Sequence, residues 1–153
     1  MSAAEKNGFA RFTKRFPKGT VLFNEGDEGE DMFIIRSGQV AIRKRVPHGD
    51  IVVAVLEKGD FFGEMSLLEG LPRDASAQAV GGAEVLVMTP GALLVRLRRD
   101  PTFAFELLRR LSGRVRTLNA RLIAAMAAHE ELRPGNAEAL LYLTEQAVPA
   151  GSP

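Results

Sequence analysis

Residues 32–45 read MFIIRSGQVAIRKR, two β-favouring runs, Ile34-Ile35 and Val40-Ala41-Ile42, around Ser37-Gly38. β-Branched side chains suit a pleated, half-buried surface, and a serine–glycine pair between two such runs reads as a tight hairpin turn. The same texture extends in both directions. Runs at 20–23, 32–36, 39–45, 51–56, 75–80 and 84–89 are punctuated by glycines at 19, 26, 29, 38, 49, 59, 70 and 81–82. Short strands at regular spacing with turn residues between them predict an all-β sandwich or barrel. No helical segment separates them, as a parallel α/β sheet would require. A jelly roll is the natural candidate.

At 153 residues the chain fits one domain with room for an extended helix or tail. Hydrophobic residues at 46% and charged residues at 25% are near globular averages, so a buried core can form. With no cysteine, disulfide scaffolds, thiolate zinc sites, iron–sulfur clusters and cysteine nucleophiles are excluded. His48 stands in a turn and His129 on a distant helix, so a histidine-clustered jelly-roll metalloenzyme is not supported, and no metal or cofactor is expected. The chain shows no apolar run of the roughly 20 residues a membrane helix needs, and no signal-peptide core within 1–10, so a cytoplasmic setting is expected.

The pattern changes at Pro90. A short helix is expected over 92–99, closed by Asp100-Pro101, and a long one over 101–133. In the long helix Ala104, Leu108, Leu111, Val115, Leu118, Leu122, Ala125, His129 and Leu132 recur four and three residues apart, the spacing of a coiled-coil seam. It predicts a homodimer through 104–132. Phe103, Phe105, Leu107 and Ile123 offer a second apolar face, which leaves packing along the β-domain open as an alternative or an addition. Beyond it, 134–153 holds one possible short helix, 136–147, and a Pro/Gly/Ser end expected to fray.

Residues 59–77, GDFFGEMSLLEGLPRDASA, interrupt the strand pattern. Gly63 permits close approach of backbone to another group, and 64–68 can form one helical turn whose free N–H groups would face an anion. Arg73 follows. Between 46 and 95 the only basic residues are Lys58 and Arg73, against seven acids. One planar guanidinium beside an amide nest is a reasonable phosphate site. Taken singly, Gly63 could be a plain turn, Glu64 a solvated acid, and Arg73 a surface partner for Glu64 or Glu69.

Order and spacing carry the resemblance. Phe62-Gly63-Glu64-Met65-Ser66-Leu67-Leu68 followed by Pro72-Arg73-Asp74-Ala75-Ser76 is similar to the phosphate-binding cassette of the cyclic-nucleotide-binding domain family, the type found in catabolite activators and kinase regulatory subunits. The turns at 19–27 and 34–40 also resemble that family, and the likeness extends over roughly 16–133. It implies a mainly β fold with flanking helices: a jelly-roll β-roll over 20–100, preceded by an arm over 1–19 and followed by a long dimerisation helix. It further implies a non-enzymatic regulator that binds a cyclic purine mononucleotide, cAMP or cGMP. By the resemblance, Arg73 forks onto the cyclic phosphate. Backbone N–H groups around Met65, Ser66 and Asp74 complete the anion site, Glu64 accepts the ribose 2′-hydroxyl, and Ala75 and Ser76 close the cassette. Ile42 and Val53, with Ala54, would wall the base or serve as plain core.

Asp74 departs from the family pattern, where a small or hydroxylated residue is common. Its carboxylate could repel phosphate, turn outward, or accept from the amine of a guanine. Only 134–153 follows the long helix, too short for a helix-turn-helix domain, so the expected signal passes to a separate effector and DNA binding is not expected. The net charge of +1 conceals eight arginines within 96–121 against Asp100 and Glu106, a local charge of +6. A solvated face is the ordinary meaning of such a run. The alternative function is a ligand-free interaction module whose arginine-rich helix docks an acidic partner or nucleic acid.

Overall fold

A computed structural model describes residues 11–128. Its elements in chain order are β1 (Arg11–Phe16), β2 (Val21–Phe23), β3 (Met32–Ser37), β4 (Val40–Val46), β5 (Gly49–Leu56), β6 (Phe61–Phe62), α1 (Glu64–Glu69), β7 (Ser76–Ala79), β8 (Ala83–Met88), α2 (Pro90–Arg99) and α3 (Pro101–Ala127). The strands form two four-stranded antiparallel sheets, β1-β8-β3-β6 and β2-β7-β4-β5. This is the two-sheet jelly roll that the strand spacing predicts.

Alternation along the strands builds the core. On β8, Ala83, Val85 and Val87 are buried while Glu84 and Leu86 between them are not. Ala77 and Ala79 of β7 and Val40 of β4 meet them from the other sheet. Ile35 and Val40 lie in this one cluster, and that corrects the expected hairpin at Ser37-Gly38. Strand β3 pairs with β6 and β8, whereas β4 pairs with β5 and β7. Two successive strands burying Ile35 and Val40 in one core from opposite sheets are not neighbours in a single sheet, so the turn carries the chain across the sandwich.

Strand β1 lies upstream of residue 20, where the sequence pattern begins the roll. All six of its residues pair with β8, from Arg11 opposite Met88 to Phe16 opposite Ala83. Its composition, RFTKRF, suits an edge: charged side chains discourage further pairing, and Phe12 remains 42% exposed. The two-residue β6 is also new. It pairs with Phe33 and Ile34 of β3 and buries both its phenylalanines.

The described chain divides into two units, the first ending at Pro101 and the second beginning at Thr102. The first closes on α2. Thr89 caps it by accepting from the Ala92 N–H at 3.2 Å, Pro90 occupies its first turn, and Ala92 and Leu93 are buried. In the second, Leu107 of α3 is buried, whereas Leu108, Val115, Leu118 and Leu122 of the seam and Phe105 and Ile123 of the second face are exposed. The seam positions His129 and Leu132 and the possible helix over 136–147 lie outside the described residues. Among the described residues no cluster could hold a metal ion, and no helix is long and apolar enough to cross a membrane.

Candidate functional site

Strand β6 delivers the chain to Gly63, whose φ of +78° lies in the left-handed region that glycine alone adopts without strain. Space there is equally restrictive. A Cβ at Gly63 would meet Asp31 O and Arg73 Nη1 at 2.9 Å and the Phe33 ring at 3.1 Å. From this corner α1 starts, burying Glu64 and Ser66 and leaving Met65 exposed between them.

The chain returns through 71–75, and Arg73 is fastened by its own backbone. Its N–H donates to Asp27 O and its carbonyl accepts from the Gly26 N–H, both at 2.8 Å. These bonds hold the 24–31 loop over it, close enough that a Cβ at Gly29 would fall 2.8 Å from Arg73 Nη2. Arg73 as a residue is 6% exposed. The guanidinium is enclosed by aromatic rings. It lies 4.4 Å from the Phe23 ring centroid and 5.6 Å from that of Phe33, and Nη1 donates to Gly63 O at 3.1 Å. The rings are themselves packed, with Phe23, Phe33 and Phe62 centroids 5.1 to 5.9 Å apart. Arg73 Nε is buried with no hydrogen-bond partner.

Burial pulls the Arg73 guanidinium below its ordinary pKa, and the charges of Asp31 and Asp27 oppose that pull. An arginine remains charged under such conditions. A cation is thus held in a largely dry corner, screened only partly by two carboxylates of the neighbouring loop, beside the first turn of α1. That arrangement is suited to an incoming anion.

Asp74 points away from this corner. Its side chain is 57% exposed, with Oδ1 3.5 Å from Lys44 Nζ. Ala75 is half-buried, and Ser76 Oγ accepts from the Glu25 N–H at 2.8 Å. Ile42, half-buried against the core, pairs with Ala77 of β7 and Ala54 of β5. The β4–β5 register then steps to Arg43 opposite Val52, so Val53 is the extra residue of a bulge. The structure therefore sets Arg73 against Gly63, with Glu64 and Ser66 buried on the helix that starts there, and sets Ile42 on the strand adjoining the cassette's end.

Sequence reasoning did not single out Phe23 and Phe33, which cradle the guanidinium, or Gly29, which admits it. The relation of Asp27 and Asp31 to Arg73 leaves no local signal, because these residues lie more than 40 positions from it in the chain.

The cyclic nucleotide-binding domain family matches residues 13–100. The chain is 36% identical over 132 residues to the "Cyclic AMP receptor protein" of Thermus thermophilus, covering 86% of this chain and 60% of that protein. It is 33% identical over 124 residues to the "CRP-like cAMP-activated global transcriptional regulator" of Mycobacterium tuberculosis, covering 77% and 55%. It therefore spans little more than half the length of these curated relatives. Among solved structures, the Thermus thermophilus catabolite activator protein superposes with a TM-score of 0.68 at 35% identity, over 92% of this chain and 64% of that one.

Proposed function

The chain belongs to the cyclic nucleotide-binding domain family, and on that premise we propose that it is a cytoplasmic sensor of a cyclic purine mononucleotide, cAMP or cGMP. It is a binding and regulatory domain, not an enzyme. The observation that carries the ligand reading is Arg73: a buried guanidinium stacked on Phe23, with Nε unbonded, beside the start of α1. A buried donor without a partner costs about 1–3 kcal/mol, and a cyclic phosphate would supply the missing acceptor.

In this reading Arg73 forks onto the phosphate with the N–H groups of Met65, Ser66 and Asp74. Glu64 takes the ribose 2′-hydroxyl, Gly63 admits the ligand closely, Ala75 and Ser76 close the cassette, and Ile42 and Val53 wall the base. The outward position of Asp74 argues against a guanine contact, so Asp74→Ala should leave the ratio of cAMP to cGMP affinity unchanged. A changed ratio would return Asp74 to base recognition. The names of the two relatives make cAMP the first ligand to test. The exposed seam of α3 supports a homodimer in which that helix reports occupancy to a further protein.

Calorimetric titration with cAMP, cGMP and cyclic dinucleotides tests the proposal. A cyclic mononucleotide should bind, and at 100 times its Kd should raise stability by about 2.7 kcal/mol. Absence of binding by both mononucleotides would leave the ligand-free interaction module as the reading.

A further inference from the structure

Lys44, on β4 two residues beyond Ile42, has no part in the site as described above. Its ammonium gathers oxygens from two distant segments. It donates to the backbone carbonyl of Asp74, lies 3.5 Å from Asp74 Oδ1 and lies 3.1 Å from Glu25 Oε1. Glu25 is itself fixed, its Oε2 accepting from the Arg45 N–H at 2.8 Å and its own N–H donating to Ser76 Oγ at 2.8 Å. One ammonium therefore ties to β4 both the residue that follows Arg73 and the first acid of the loop covering Arg73.

Burial by itself would lower the Lys44 pKa. The Glu25 hydrogen bond and the charges of Asp74 and Glu25 outweigh it and hold Lys44 above its ordinary value. The ammonium is accordingly present throughout the neutral range.

A carboxylate directly after the anion-binding arginine opposes an anionic ligand unless its charge is cancelled and its position fixed. We propose that Lys44 does both: it anchors Asp74 away from the anion corner and neutralises it, so that a cassette bearing aspartate after its arginine still accepts a cyclic phosphate. Lys44 is thus a positioning residue acting through Asp74. The inference rests on the cyclic-nucleotide reading above.

A double-mutant cycle on the full chain, read by titration with cAMP and cGMP, tests it. Lys44→Met keeps the aliphatic stem and removes the charge. It should weaken binding about tenfold in the wild-type background. In an Asp74→Ala background the same change should cost less than about threefold, because the carboxylate it restrains is gone. An undiminished loss in that background would overturn the proposal, since Lys44 would then act through Glu25, the backbone carbonyl or its own field. Wild-type affinity for Lys44→Met would overturn it too. Lys44→Gln, which can still donate to the Asp74 carbonyl, guards against misfolding of Lys44→Met: it should show the same loss, and full affinity in it would again refute the role. If the wild-type chain binds neither nucleotide, the cyclic-nucleotide reading falls and this assignment with it. If it binds but the cycle shows no coupling, only the Lys44 assignment falls.

Discussion

At Arg73 the demands of folding and of binding diverge. A charged group has been taken out of water with Nε unbonded, and replacing such a group by a hydrophobic one of similar volume is often neutral or stabilising. Arg73→Met retains contact with the Phe23 ring through its thioether. The unliganded variant should therefore unfold at an unchanged or higher temperature, while its affinity for cyclic nucleotide falls by about 2–5 kcal/mol. Calorimetry for binding and thermal unfolding without ligand separate the two effects. A variant that loses stability yet binds normally would refute the anion role. Glu64 makes a different claim at the same scale. Glu64→Ala should lose about 1.5–3 kcal/mol toward cAMP, the worth of a hydrogen bond to a charged acceptor. It should then bind 2′-deoxy-cAMP as well as cAMP, whereas the wild type should discriminate between them. Equal discrimination by both proteins would remove Glu64 from the ribose.

Between elements, the 24–31 loop is fastened to β4 through Glu25 and Lys44. The hydrogen bond from the Arg45 N–H and then the Lys44 ammonium hold the Glu25 carboxyl below its ordinary pKa. A group whose folded pKa is lowered stabilises fully above its unfolded value, about 4.3 for glutamate, and loses that contribution as pH falls through the lowered one. For Lys44, with its pKa raised, the contribution is complete below about 10.4 and is lost only at higher pH. Across neutral pH the attachment is therefore constant, and it weakens on the acid side. The difference in unfolding midpoint between wild type and Glu25→Gln should be steady above about pH 5 and shrink toward pH 2. A difference that stays constant to low pH would show that the Glu25 charge contributes nothing.

This loop also marks how far the sequence could be read. The strand runs are legible as a jelly roll because short β-favouring stretches recurring between turn glycines leave a trace, as with 84–89 after Gly81-Gly82. Strand β1 leaves no such trace, since an edge strand is held by backbone pairing and tolerates RFTKRF. Gly63, Glu64 and Arg73 are legible because glycine geometry and charge type constrain them individually. The Phe23 and Phe33 cradle arises from side chains brought together across the two sheets, and the Lys44 attachment from segments flanking β2 and β7 in the sheet that holds β4; local spacing carries no record of either.

For the whole molecule the unsettled surface is α3. Its 27 residues, a length of about 40 Å, expose Leu108, Val115, Leu118 and Leu122 along one stripe at seven-, three- and four-residue steps. A stripe of that periodicity is matched by a second copy of itself, and burying four large apolar side chains per chain is favourable by roughly 1.5–3 kcal/mol each, less the entropy of association. The arginines of the same helix add a contrasting dependence. Contacts made by exposed charges weaken as salt rises, whereas an apolar seam does not. Light scattering should thus report a dimer whose mass is the same at about 0.05 and 0.5 M salt. Leu118→Glu with Leu122→Glu should bring it to the 16.6 kDa of one chain, because each introduced carboxylate would face its own copy in the seam. A dimer that dissociates as salt is added, or that survives both substitutions, would assign self-association to charge or to another surface and leave the apolar stripe of α3 for a different protein.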